Sequence, residues 1–403
     1  MLAIGDQGVS SATTFLSAVL VGRSTTKEEF GSYVLGLTIL AWVTNLQTAF
    51  VTSPYLYRQA GLSEAERRRL AGSTLIHHLI LAAAATGVAA AVATMSFRFS
   101  TMVWALAACL GPTLLKEYGR QTSFAHGRPQ DALVLDSVGF ALQVGALGWL
   151  AQSGRVSPAA AYLVIGLASG LAAAGWLAAQ RGAFRPDPAV APTHLADNWV
   201  LGKWLFAGFI VNAIGKDMYG WVLTAFHGTE AAGVLAACLG IVMLASPLAV
   251  GISNHLGASY ARLVAEQGPE PLLRRLRRAT WIAAACAALF VAGVGLFGDW
   301  GITHLYGAQY GGNASVLTVL ALSLGATVVT LPIGVGLLAL QRADLTFRAA
   351  MAGAIATVVL GVGAAWTLGP LGAALGLVSA NAVEGGAKVW LFRRHLERLG
   401  RSR

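Results

Sequence analysis

The residues best able to do chemistry lie where chemistry is expensive. The stretch 197–226, DNWVLGKWLFAGFIVNAIGKDMYGWVLTAF, is apolar and long enough to cross a bilayer, yet it carries Lys203, Asn212, Lys216 and Asp217. Ionisable groups at membrane depth face a partner charge, a water-filled cavity or a substrate. On a helix Asn212 and Lys216, four apart, share a face, whereas Asp217 points about 100° away from Lys216. Lys203 sits near one end, where it can snorkel to the headgroups. Lys216 lies ~10 Å from the other end and is the cation best placed to face a cavity, with Asp217 paired across the bundle. A second group falls in KEYGRQTSFAHGRPQDALVLD. Lys116 and Arg120 are one turn apart, Glu117 can pair with Arg120, and Asp136 sits just inside the next apolar run. These residues fit either a gate that receives a phosphate or an ion-pair cluster at the membrane edge. A third group is Asp6, Ser10, Thr13 and Ser17, a single stripe that suits a cavity wall or hydroxyls bonded to their own helix.

The elements that carry these groups are membrane helices. The chain has 403 residues, of which 56% are hydrophobic and 11% charged, and its mean hydropathy is +0.64. Soluble domains carry about 25% charged residues. Apolar runs of about 20 residues predict spans near 2–22, 31–53, 72–95, 101–122, 132–152, 158–179, 200–223, 231–252, 279–299, 314–340, 346–367 and 370–391. The predicted fold is therefore all-α, a polytopic integral membrane protein of about twelve transmembrane helices. Met1 opens almost directly into an apolar run, read as a first span and not as a cleaved signal.

Orientation follows from the basic residues. Of 28 lysines and arginines, 23 fall in or beside the loops after even-numbered spans and in the C-terminal tail. Only Arg23, Lys27, Arg98, Arg155 and Lys216 lie near the odd loops. This bias places both termini in the cytoplasm. The net charge of +10 is spread between apolar runs, so topology and anionic lipid explain it better than nucleic acid does. The segment EPLLRRLRR at 270–278 suits an amphipathic stretch on the cytoplasmic leaflet.

Residues 21–38 align with 223–240 at an offset of 202, matching Glu28 to Glu230 and Gly31 to Gly233. An offset of half the chain predicts two repeated six-helix bundles: 1–180, a linker over 181–198, and 199–403 with a short basic tail. Transporters are commonly built so, with the substrate site at the repeat interface. The outward loops are too short for a catalytic domain, Gly202-Lys203 is followed by Trp204 and so makes no phosphate-binding loop, and no HExxH is present. No enzyme and no cofactor is expected. Cys109, Cys238 and Cys286 lie far apart inside apolar runs, without metal-ligand spacing.

Four stretches carry a family resemblance: EEFGSYVLGLTI at 28–39, GRQTSFAHGRPQDALVLD at 119–136, HLYGAQYGGNASVLTVLALS at 304–323 and LGPLGAALGLVSANAVEGGAKVWLFRRHL at 368–396. With them the chain resembles the polysaccharide and oligosaccharide flippases of the MOP exporter superfamily, relatives of the MATE drug exporters. The resemblance implies two bundles around a V-shaped cavity. It also implies transfer of a polyprenyl-pyrophosphate-linked oligosaccharide across the bacterial inner membrane for surface polysaccharide assembly. Cationic cavity residues would then meet the pyrophosphate: Lys216 foremost, with Lys116 and Arg120. The partners implied are the lipid-linked substrate, membrane lipids and other polysaccharide-assembly proteins. An alternative is a cation- or proton-coupled exporter of small amphipathic compounds using Asp6 or Asp217 as the coupling acid. A scaffold for glycan assembly is a third.

Overall fold

The computed structural model describes residues 2–59, 62–95, 100–268 and 270–401, and among them it is helical nearly throughout. α1 (Leu2–Ser24) is followed by α2 (Lys27–Gln47), a π turn over Thr48–Thr52 and α3 (Ser53–Arg58). Then come α4 (Glu64–Met95), α5 (Ser100–Ala125), α6 (Pro129–Gln152) and α7 (Pro158–Gln180). α8 (Ala191–Lys216), α9 (Met218–Val242), α10 (Ser246–Gln267) and α11 (Glu270–Tyr306) follow. The last are α12 (Ala314–Ala339), α13 (Ala343–Ala356), a π turn over Thr357–Gly361 and α14 (Val362–Arg401). Each of the twelve apolar stretches read from the sequence falls on a helical run. Gly228 (φ 81) and Gly369 (φ 59) break α9 and α14 internally. A residue with a Cβ would resist both conformations, so these two glycines separate the seventh run from the eighth and the eleventh from the twelfth.

Eight helices among the described residues are long and apolar enough to cross a membrane. The runs outside that set are α1, α5, α8 and α10. α1, α5 and α8 carry Asp6, then Lys116 and Arg120, then Asn212 and Lys216. Polarity is thus concentrated on particular helices.

Helix starts follow local chemistry. Thr26 caps α2 in a reciprocal box with Glu29, and Ser157 caps α7 ahead of Pro158. Pro112 and Pro332 stay inside helices, whereas Pro247 begins α10 after a 3-10 turn over Met243–Ala245. The predicted linker holds a 3-10 turn over Arg181–Ala183, but its last residues, 191–198, form the first turns of α8.

The chain divides into two compact units, Met1–Ile210 and Val211–Arg403. In the first, α5 lies against α4, α6 and α7, and α1 against α6. Tyr162 donates to the Tyr33 carbonyl and fills the space over Gly36. The first half of α8 is tied into this unit. Arg58 pairs with Asp197 at 2.8 Å, Asn198 Nδ2 donates to the Phe50 carbonyl in the π turn at 3.0 Å, and His77 Nε2 meets the Ala191 carbonyl at 2.8 Å. In the second unit, α12 packs against α10, α11 and α14, and Tyr219 fills the space over Gly361 and Gly376.

One turn recurs. After α5, Gly127 (φ 69) and Arg128 (φ −112, ψ 62) donate to the carbonyls three and five residues back, Phe124 and Ser123. After α12, Gln341 (φ 57) and Arg342 (φ −105, ψ 51) do the same to Leu338 and Leu337. This is a helix C-terminal motif with a left-handed residue, repeated at an offset of 214.

The 270–278 segment differs from its expected form. It is not a separate surface stretch but the opening of α11. Leu272 and Leu276 are buried in a core with Tyr260, Leu263, Val335, Leu337, Leu345 and Phe392.

Candidate functional site

Three of the six residues singled out by sequence come together in the first unit. α5 presents Lys116, Glu117 and Arg120 on one side, because positions three and four apart share a helix face. Arg120 grips Glu117 through two bonds, Nε to Oε2 at 2.9 Å and Nη2 to Oε1 at 2.7 Å. Its remaining arm, Nη1, reaches Asp6 Oδ2 on α1 at 3.3 Å. Gln121 adds a bond to Glu117 Oε1 at 2.8 Å. Lys116 Nζ lies 2.7 Å from Asp136 Oδ1 on α6. Its stem runs over Gly139, where a Cβ would sit 3.0 Å from Lys116 Cε, so α6 supplies a glycine where the lysine must cross. Asp6 and Asp136 interact in turn as neighbouring like charges.

The exposures sort the members. Asp6 and Asp136 are each 1% exposed, whereas Lys116, Glu117 and Arg120 are near 20%. Two of the carboxylates, Asp6 and Asp136, lie inside, and Lys116 and Arg120 stand with Glu117 at the more exposed edge. The cluster holds three carboxyls and two cations. With every group ionised it is one positive charge short of neutral, in surroundings where an uncompensated charge is costly. One more positive charge, a proton or a small cation, balances it. An incoming anion would instead compete with the carboxylates for Lys116 and Arg120.

Elsewhere on α1, Ser17 is buried and accepts from Gln143 Nε2 of α6 at 2.8 Å, a helix-packing contact, while Thr13 of the stripe, and Thr14 beside it, bond the carbonyls of Val9 and Ser10 on their own helix. His78 is buried against Gln47, which donates to the Leu114 carbonyl.

Asn212 and Asp217 belong to the second unit. Asn212 is exposed on α8. Asp217 joins α8 to α9 with helical angles, its amide donating to the Ala213 carbonyl at 2.8 Å. Lys216 ends α8, and its side chain lies outside the described residues.

A polar line in the second unit was not assembled from sequence. Asn381, Glu384 and Lys388 lie on one face of α14. Lys388 Nζ is 2.6 Å from Glu384 Oε1, and Asn381 Nδ2 donates to Ser323 Oγ of α12 at 2.8 Å. The four-residue spacing of Glu384 and Lys388 was the available signal.

No protein-family model and no curated protein sequence matches the chain. Its fold, however, matches that of solved MOP-superfamily transporters. A multidrug-resistance MATE transporter of that superfamily, in its inward-facing conformation, superposes with a TM-score of 0.77 at 18% identity, over 99% of both chains. The lipid II flippase MurJ, in its inward closed conformation, gives 0.74 at 14% identity, over 96% of this chain and 86% of that one. A MOP superfamily transporter from Pyrococcus furiosus, described as having reversed polarity in its binding pocket, gives 0.63 at 16% identity, over 99% and 94%.

Proposed function

We propose that the chain is a membrane transporter that flips a polyprenyl-pyrophosphate-linked oligosaccharide across a bacterial inner membrane for surface polysaccharide assembly. The observation that carries this reading is the pair Lys116 and Arg120. They stand one turn apart on a membrane helix, partly exposed, in front of buried carboxylates. A pyrophosphate offers the same oxygen acceptors as those carboxylates with more charge, and can replace them as partner to both cations. Within the second unit, Lys216 and Asn212 would offer a pyrophosphate a cation and a donor of their own, with Asp217 turned away from it. The fold shared with MurJ supports the reading, as do the four flippase-like stretches.

The second reading is a proton- or cation-coupled exporter of small amphipathic compounds, favoured by the carboxyl excess around Asp6. Deletion in the source organism separates the two. A flippase deletion accumulates lipid-linked glycan and loses surface polysaccharide, restored by the wild-type chain but not by Lys116→Gln/Arg120→Gln at equal protein level. Unchanged glycan with raised sensitivity to amphipathic drugs selects the exporter. Lys216→Ala should also abolish export, and Lys216→Arg retain part of it. Normal export by Lys216→Ala removes that residue from the site.

A further inference from the structure

α11 opens with EPLLRRLRRATWI at 270–282. Its inward stripe, Leu272 and Leu276, is buried in the core of the second unit. On the outward stripe, Arg274, Arg277, Arg278 and Trp281 follow at steps of three and four, so they share one face. All four are exposed, Trp281 by 69%. The same broad face continues through Leu289 and Leu296, 77% and 78% exposed, as expected of a helix turned toward acyl chains.

Among the described residues, no ion pair involves Arg274, Arg277 or Arg278, and the neighbouring Arg275 makes only a 3.5 Å contact to Ser259 Oγ. The other arginine run behaves differently. At 64–69 Arg68 pairs with Glu64, and Glu66, bonded to Ser63, lies near Arg69. The α11 arginines also repel one another at one-turn spacing. That repulsion is relieved by an anion bound from outside.

Position identifies that anion. At about 1.5 Å per residue, Arg278 lies ~16 Å along the axis from Leu289, and half the hydrocarbon thickness is ~15 Å. With Leu289 near mid-membrane, the guanidinium groups reach the phosphate level and Trp281 the ester level, where tryptophan is enriched. Guanidinium forks suit phosphate oxygens.

We infer that Arg274, Arg277, Arg278 and Trp281 form a binding site for the headgroup phosphate of an acidic phospholipid, held as a resident lipid of the second unit. The test uses the full-length protein, purified and delipidated in detergent, and titrated with phosphatidylglycerol or phosphatidylcholine under native mass spectrometry. Wild type should prefer phosphatidylglycerol by about tenfold or more, and that lipid should raise its melting temperature. Arg274→Gln/Arg277→Gln/Arg278→Gln should lose both the preference and the thermal shift while melting no lower than wild type without lipid. The matched variant Arg67→Gln/Arg68→Gln/Arg69→Gln should keep both. Trp281→Ala, with every charge intact, should weaken lipid binding severalfold. Equal loss in the two triple variants would reduce the effect to overall charge. Absence of a preference in wild type overturns the site, as does displacement of the lipid by millimolar inorganic phosphate, which would mark a free-phosphate site.

Discussion

Replacing Arg120 by glutamine tests the charge arithmetic of the α1–α5–α6 cluster. The change leaves Asp6, Glu117 and Asp136 facing Lys116 alone, with Asp6 at 1% exposure. Removing one partner of a buried ion pair costs about 3–5 kcal/mol. Since Arg120 and Glu117 are each 20% exposed, water screens part of that, and the lower end, ~3 kcal/mol, applies. For a unit spanning Met1–Ile210, each kcal/mol lowers the melting temperature by about 2–4 °C, so Arg120→Gln should melt ~6–12 °C lower. Asp6→Asn acts differently. It leaves two carboxyls against two cations, keeps the doubly bonded Arg120–Glu117 fork, and loses a single 3.3 Å bond. Its effect should stay within about 1 kcal/mol. In Asp6→Asn/Arg120→Gln one of the two buried carboxylates, the one that loses its partner, is gone, so the double variant should melt above Arg120→Gln by at least ~2 °C. The assay is tryptophan-fluorescence thermal unfolding in one detergent for wild type, both single variants and the double. If Asp6→Asn falls as far as Arg120→Gln and the double falls by the sum, the cluster is not carboxylate-heavy in the way described.

Gly72→Ala should destabilise the first unit by about 1–3 kcal/mol, read as a lower melting temperature, because its Cβ would meet the backbone of Arg185 and Pro186. His126, in the turn after α5 and bonded to Tyr55, is held below its ordinary 6.5 by burial first and then by Arg67 and Arg128. The folded state therefore favours the neutral ring: the associated stability is intact above pH 6.5 and is lost as pH falls from there through the lower native value. Melting temperature between pH 7.5 and 5 should fall more steeply for wild type than for His126→Gln; parallel curves would refute this. Reporter fusions after Arg394 should be active only with a reporter that works in the cytoplasm, as the 23-to-5 distribution of basic residues requires.

The helices were legible because a membrane span is a local property, a run of apolar residues of fixed length. The Glu117–Arg120 pair was legible for the same reason, being three residues apart. The contacts that complete the cluster were not. Asp6 and Arg120 are separated by 114 residues, and nothing in α1 distinguishes an aspartate that reaches across to α5 from one that faces water. Residues 191–198 misled in another way. APTHLADN reads as polar linker, yet Arg58, Phe50 and His77 hold it as helix, a tertiary effect overriding local composition. At 270–278 the amphipathic pattern was read correctly but its apolar stripe was assigned to the wrong solvent: Leu272 and Leu276 meet protein, not lipid.

The turn shared by Gly127–Arg128 and Gln341–Arg342 gives the molecule its own matched control. One backbone conformation is held by glycine in the first place and by glutamine in the second. A left-handed glutamine is strained by about 1–2 kcal/mol, but glycine sacrifices ~0.5–1 kcal/mol of chain entropy on folding. The two nearly offset, which is how a long side chain persists where its counterpart has none. Exchanging them should therefore be almost silent at both turns. A β-branched residue has no such compensation, and valine at either place should shorten the preceding helix by a turn and loosen the start of the next.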